Sequence, residues 1–394
     1  MVGAHCKVLF ISSIDPKKLT FVLSQIDGLV SRGFKVKVIC RLPYHGQIHE
    51  VNICNGFVGK KYSRINIFAW LFYFKLRAIF DARYSKYIDG EADWKLYGRF
   101  VGTRRAIPWD SLSRFAKSWR PDVIHVHFAW HLPYAIPFAE YLGVPIVCTV
   151  HGSDIYLEDD WKDYLICENV KQILCVSTEM RRYIVDILPE LSNKTSVLYN
   201  AIDQVFFGPA VPPPKEFRII HIAGFRPVKN HDYLLSALRV LKQRGIDFTC
   251  VLVGDGDEKG RILELVESYG LVDSIQLLGW LSSEEVCTEL DRSTVSVLVS
   301  KSEGLPTVLA ESMSRQRAIV YSDLKGAVEV AGMGRYGSRV SLSDPESLAE
   351  ELLKAHQITL RQNEDLVEAR EYILDRFGIE EHIASLSSLY NSLR

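Results

Sequence analysis

The sequence has no apolar run long enough to cross a bilayer. Its longest, residues 65–74, is closed by Arg64 and Lys75, whereas a spanning helix needs about 20 apolar residues. Residues 1–20 lack the continuous apolar core of a secretory leader, so a cytoplasmic location is expected. The eight cysteines are scattered and form no C-x-x-C pair. Buried free thiols in a reducing compartment are therefore expected, rather than a disulfide framework. No dense basic run interleaves with aromatics along a strand, which argues against nucleic acid as a partner. The first loop, Ser12-Ser13-Ile14-Asp15-Pro16, lacks G-x-G-x-x-G, so no nicotinamide cofactor is expected.

What is present reads as two domains. A chain of 394 residues exceeds one ordinary core, and 47% apolar with 24% charged residues is an ordinary globular balance. The net charge of -1 is unevenly spread. Residues 1–208 hold 26 Lys and Arg against 20 Asp and Glu, and the remainder holds 21 against 28. Residues 7–11 read as a strand, 20–31 as a helix and 35–39 as a second strand, a β-α-β opening that implies a parallel sheet. Further strands are expected at 122–127, 145–150, 172–177 and 196–199. The run Gly208-Pro209-Ala210-Val211-Pro212-Pro213-Pro214 is a stiff, extended linker. The alternation then restarts with strands at 217–223, 248–253, 275–279 and 295–299. The expected organisation is a first domain over 1–208, a second over 209–376, and a final helix over 377–394 crossing back to the first.

Residues 58–105 are irregular. They hold 11 basic and 4 acidic residues interleaved with aromatics such as Phe68, Trp70 and Phe74. Two readings fit: a segment lying on an anionic membrane surface, or helices packed on the sheet with lysines reaching outward. His125, His127 and His131 could suggest zinc, but their spacing fits no common structural site and no cysteine joins them. No metal is expected there. Asp255 and Asp257, after a strand, form a second D-x-D candidate for a metal or simply a glycine-bearing turn.

The most informative stretch runs Ser300-Lys301-Ser302-Glu303-Gly304-Leu305-Pro306-Thr307-Val308-Leu309-Ala310-Glu311-Ser312-Met313. It follows a buried-strand pattern, Pro306 suits a helix start, and residues 307–314 contain no breaker. The free N–H groups of such a start favour an anion, phosphate above all. Glu303 and Glu311 suit hydroxyls on either side of it. A diphosphate flanked by ribose and a sugar fits this arrangement. So does a plain surface helix with two solvated glutamates. Arg226 and Lys229 are close enough in sequence to grip one diphosphate. His151 follows a strand at the carboxyl end of a sheet, where ligands of open α/β folds collect.

Together these motifs resemble the group-1, family-4 glycosyltransferases and, through Thr20-Phe21-Val22 to Arg32-Gly33, their exopolysaccharide-assembly branch. The matching residues are Pro121-Asp122 to His127, His151-Gly152-Ser153-Asp154, Asn200-Ala201-Ile202-Asp203 and the Glu303–Glu311 pair in E-x7-E spacing. The family's double glycine in the first loop is absent. Gln316 and Ala318 replace its usual Gly and Pro, and Arg226 lies nearer Lys229 than in its common form. The resemblance implies two Rossmann-like parallel-sheet domains facing a cleft, the GT-B fold. It implies transfer of a sugar from a nucleotide-diphosphate sugar to a saccharide or lipid-linked acceptor, with retention of configuration and without a metal or other cofactor. It further implies that Glu311 holds the ribose and that Glu303 and His151 meet the transferred sugar. Arg226, Lys229 and the Gly304-Leu305-Pro306-Thr307 turn would neutralise the leaving diphosphate. Gly224, Gly254 and Trp280 would line the nucleotide side, and Ser12, Ser13, His127 and Asp154 the acceptor side. A sugar-nucleotide epimerase and a non-catalytic scaffold of the same architecture remain the alternatives.

Overall fold

In the computed structural model, the residues described are 6–12, 20–40, 52–54, 119–156, 160–361 and 364–394. Ser13 and the basic aromatic stretch at 58–105 lie outside them.

Two parallel sheets carry the fold. The first has seven strands: β1 (Lys7–Ser12), β2 (Lys35–Cys40), β3 (Asn52–Cys54), β4 (Val123–His127), β5 (Ile146–Val150), β6 (Val170–Cys175) and β7 (Thr195–Val197), ordered β3-β2-β1-β4-β5-β6-β7. The second has six: β8 (Arg218–Ile222), β9 (Thr249–Val253), β10 (Ile275–Gly279), β11 (Val295–Leu298), β12 (Ala318–Ser322) and β13 (Ser338–Val340), ordered β10-β9-β8-β11-β12-β13. Every described pairing is parallel. The sequence shows why. Strands such as Ile146–Val150 and Ala318–Ser322 are buried along their whole length, which requires both faces to be covered.

The strand order decides where a ligand can go. In each sheet the strand order reverses beside its own first strand, between β1 and β4 and between β8 and β11. The crevice outside the carboxyl ends of the strands opens at such a reversal. Ser12 and His127 end the strands flanking the first reversal. The loops 223–230 and 299–306 leave the strands flanking the second.

The linker 208–214 has no regular structure, and the second domain grips its carbonyls. Arg315 donates to the oxygens of Gly208 and Pro209 at 2.8 Å each, and Arg317 donates to Val211 at 2.9 Å. After the helix Glu364–Arg376 the chain returns to the first sheet. The helix Ile379–Ser392 buries Ile383, Leu386 and Tyr390 with Val8, Phe10 and Val22. It seats on the helix Thr20–Ser31, where a Cβ at Gly28 would overlap the Ile383 side chain. Tyr390 reaches through to His125, its hydroxyl 2.5 Å from Nδ1. Cys6, Cys148, Cys175, Cys250 and Cys287 are buried thiols outside any disulfide.

Candidate active site

On the second-domain side the site begins with Lys229 and Glu303. The two come from loops that follow β8 and β11, and Lys229 Nζ donates to Glu303 Oε1 at 2.5 Å. A backbone bond from Lys301 N–H to the Val228 oxygen, 2.8 Å, ties the two loops together. The helix Thr307–Ser314 then starts from Pro306, which has no side-chain cap. Leu309 N–H turns back to the Pro306 oxygen at 3.1 Å, and no capping side chain claims the N–H groups of Thr307 and Val308. Proline stands one residue earlier than a first-turn position, as the N-cap itself.

Glu311 lies one turn into that helix and is half-buried. Burial pushes its carboxyl up to about 7; the Thr307 hydrogen bond opposes the shift and the negative charge of Asp203 adds to it. Arg226 extends into solvent beside Gly224. Gly224 faces the Trp280 ring, and a Cβ there would lie 3.6 Å from it. Gly254 has φ +135° and packs so closely on the Ala223 carbonyl that a side chain would overlap it, so this turn requires glycine. Asp255 accepts from Gly256 N–H at 2.9 Å and stands 3.7 Å from Lys259, while Asp257 is exposed. The pair behaves as a turn. Among the described residues no cluster of His, Cys, Asp or Glu has the form of a metal site.

On the first-domain side the centre is a packed row of rings. His125 stacks on His127 at 4.5 Å between centroids, and His127 stacks on His151 at 5.3 Å. His127 Nδ1 is 3.1 Å from His151 Nε2, and His127 Nε2 has no hydrogen-bond partner among the described residues. A proton on His127 Nδ1 satisfies the contact. The other tautomer would bury an unpaired N–H, which is costly. His151 then carries its own proton on Nδ1. Burial drops the His151 pKa to about 3 and the His125 pKa to about 3, and it holds His127 well below its ordinary value. All three are neutral at physiological pH. His131 is committed elsewhere, its Nδ1 2.7 Å from the His127 carbonyl oxygen.

Asp154 is turned inward and fully engaged. It accepts from the backbone N–H groups of Ala129 at 2.7 Å and of His151 and Gly152 at 2.9 Å each. It thereby fixes the two loops that follow β4 and β5. Burial raises its pKa and these hydrogen bonds pull it back. Ser12 is buried with no partner for its hydroxyl among the described residues.

The two sides meet through glycine. A Cβ at Gly304 would overlap the His151 carbonyl, and one at Gly326 would overlap the Gly304 carbonyl. Backbone thus touches backbone where the His151 loop faces the Glu303 loop. A second junction is Glu329, which the sequence motifs did not single out. Its carboxylate accepts from Thr178 N–H at 2.8 and 3.0 Å and from the Tyr199 hydroxyl at 2.7 Å. Lys325 pairs with Glu179 beside it. A second-domain carboxylate therefore joins the N-cap Ser177 in satisfying the first N–H groups of a first-domain helix, Thr178–Ile187. No local pattern announces such a contact, because its partners are more than a hundred residues away.

The chain was compared with known proteins. Residues 204–371 match the family model of glycosyl transferases group 1, and residues 20–206 match that of glycosyltransferase family 4. The putative glycosyltransferase EpsF of Bacillus subtilis is 30% identical over 292 residues, 68% of this chain and 74% of that one. The putative colanic acid biosynthesis glycosyltransferase WcaL of Escherichia coli is 28% identical over 405 residues, 95% of this chain and 96% of that one. Among solved structures, Anabaena HepE in complex with UDP and glucose superimposes with a TM-score of 0.71 at 14% identity, covering 99% of this chain and 100% of that one. Two Rossmann-like sheets with these reversal points, two family models that cover consecutive halves, and relatives in polysaccharide assembly lead to one conclusion: the chain belongs to the group-1, family-4 glycosyltransferases of the GT-B fold.

Proposed function

We propose that the protein transfers a glycosyl group from a nucleotide-diphosphate sugar to a saccharide acceptor, carried on a lipid or belonging to a cell-surface polysaccharide, with retention of configuration and without a metal. The observation that carries this reading is the Lys229–Glu303 pair beside the uncapped start of the helix Thr307–Ser314. A cation, a carboxylate and free N–H groups at one point suit the junction between a sugar and its phosphate. In the reaction the bond from the anomeric carbon to the phosphate oxygen breaks and a bond to the acceptor oxygen forms. The acceptor hydroxyl proton passes to the leaving phosphate. Negative charge grows on that phosphate as positive charge spreads over the sugar. Lys229, Arg226 and the helix start stabilise the former, so no metal is required. Glu303 and the Nδ1–H of neutral His151 hold the sugar hydroxyls, and Glu311 holds the ribose. Gly224, Gly254 and Trp280 line the nucleotide side.

Inversion would call for a carboxylate base on the acceptor side. Asp154, the carboxylate beside His151, is spent on three backbone N–H groups, which supports retention. The test is a panel of nucleotide sugars screened for thermal stabilisation, with and without EDTA, followed by assignment of the product anomer. A shift by one nucleotide-sugar class that survives EDTA, and a product of unchanged anomeric sense, are expected. Loss of turnover on chelation with recovery by manganese would remove the metal-free mechanism. Rearrangement of the donor sugar without acceptor would point to an epimerase instead.

A further inference from the structure

Beside His151 stands a pair of rings that the reading above does not use. Phe128, directly after β4, has φ +70° and ψ 126°. A bulky residue seldom adopts that region, because its side chain crowds the backbone there. The surroundings enforce it. Phe128 N–H donates to the Thr149 oxygen at 2.8 Å, His131 N–H donates to the Phe128 oxygen at 3.0 Å, and Ala129 N–H is held by Asp154. The result is a platform. The Phe128 ring lies parallel to Trp130, 4° apart in plane with centroids at 4.7 Å, and its other neighbour is the His151 ring at 4.4 Å. Trp130 is 37% exposed, although the residues on either side of it, Ala129 and His131, are buried.

We infer that the outer face of Trp130, backed by the Phe128 ring stacked behind it, forms an acceptor subsite that stacks a pyranose ring of the saccharide receiving the transferred sugar. This deepens the proposed function and rests on it. Aromatic faces carry negative potential and attract polarised C–H groups. A pyranose offers such a face on one side while its hydroxyls point outward around the rim. The backbone strain has a use in this arrangement, since it turns the Phe128 ring between His151 and Trp130. A sugar on the outer Trp130 face is then separated by the Trp130 and Phe128 rings from the imidazole that faces the transferred sugar, the position of a saccharide unit beyond the one that receives it. The rings are neutral, as is His151, so the subsite recognises shape and C–H surface rather than charge. A nucleobase is the less suitable occupant. The platform belongs to the first sheet, whereas Gly224, Gly254 and Trp280 lie on the second.

Saturation-transfer NMR on the full chain with UDP, GDP, dTDP or ADP tests the idea, using methyl glycosides of glucose, galactose, mannose and N-acetylglucosamine, with octyl glucoside as a lipid-like control. In the wild type, at least one methyl glycoside should receive saturation on the protons of one ring face. Trp130→Ala should reduce that transfer about fivefold or more, Trp130→Phe should retain most of it, and nucleotide signals should be unchanged in both. Transfer to a nucleotide with none to any glycoside, or glycoside transfer unaltered in Trp130→Ala, would overturn the subsite and leave the donor reading intact. Transfer confined to the octyl chain would assign the face to lipid and overturn it too. Absence of transfer to every one of UDP, GDP, dTDP and ADP in the wild type would remove the donor reading and this inference together.

Discussion

Lys229 and Glu303 form a contact that a ligand must enter, so each substitution uncovers the other's charge. In the proposed mechanism Lys229→Ala removes a cation that meets the diphosphate before and during bond cleavage. It is expected to raise the donor KM and lower kcat, because interactions that strengthen in the transition state act on the chemical step. Hydrogen bonds to charged groups contribute about 1.5–3 kcal/mol, so losses of roughly ten- to hundredfold are the scale expected in steady-state kinetics. Glu311 should behave differently, because the ribose proposed as its partner does not change during reaction. Glu311→Ala is expected to raise donor KM with kcat largely kept, and a loss of kcat at unchanged KM would rule out the ribose role.

The Glu311 pKa of about 7 adds a pH signature. A carboxyl whose pKa rises on folding binds more protons folded than unfolded between its ordinary value and about 7. Its contribution to stability is therefore full below that window and falls as pH rises through it. Function runs the opposite way, since the ionised form is the better acceptor of ribose hydroxyls. Calorimetry should show wild type binding UDP more tightly than Glu311→Gln at about pH 8.5, with the two converging at about pH 5.5. His151 should contribute no inflection near neutrality, because burial places its pKa at about 3.

At the scale of elements, the loops after β4 and β5 act as one piece because Asp154 joins them. Asp154→Ala would leave three buried N–H groups without an acceptor, each costing about 1–3 kcal/mol, and should lower Tm by roughly 5 °C or more. Asp154→Asn keeps one acceptor oxygen and should lose less in the same thermal scan. Gly304 tests the meeting of the domains. Gly304→Ala would drive a methyl group into the His151 carbonyl. Turnover should fall while far-UV circular dichroism stays native, because the loops must part without either sheet unfolding.

For the whole molecule, Glu329 and the returning C-terminal helix decide how the two sheets face each other. Glu329→Ala would leave the Thr178 N–H without its carboxylate acceptor while Ser177 still caps Met180 N–H, and amide exchange at Thr178 and Glu179 should quicken while the strands keep their protection. Equal exchange in both proteins would mean that the contact does not hold the domains. The basic balance of residues 1–208 motivates a further proposal, peripheral attachment to an anionic membrane surface that bears the acceptor. Among the described residues no helix is long and apolar enough to cross a membrane. Co-sedimentation should be stronger with anionic than with neutral liposomes and should weaken with salt, since charge is screened over about 8 Å at physiological ionic strength.

Much of this architecture was legible in the residues themselves. Fully apolar strands alternating with amphipathic helices dictate buried parallel sheets. The expected helix at 20–31 and the strand at 275–279 coincide with those observed, and the final helix expected over 377–394 runs Ile379–Ser392, because each is bounded by glycine or polar breakers. Short-range spacing also placed Glu303 before Glu311 on one turn and helix, and Arg226 with Lys229 in one loop. Tertiary structure alone decided the pairings that depend on distant segments. These are Lys229 with Glu303, Glu329 with the start of the helix Thr178–Ile187, Tyr390 with His125, and the glycine contact between Gly304 and the His151 loop. It also turned Asp154 from a candidate facing the acceptor into a buried brace, because three N–H groups converge where its carboxylate sits. Local sequence encodes periodicity and caps, which are properties of neighbours along the chain. Which carboxylate is solvated and which is enclosed depends on what the rest of the molecule brings against it.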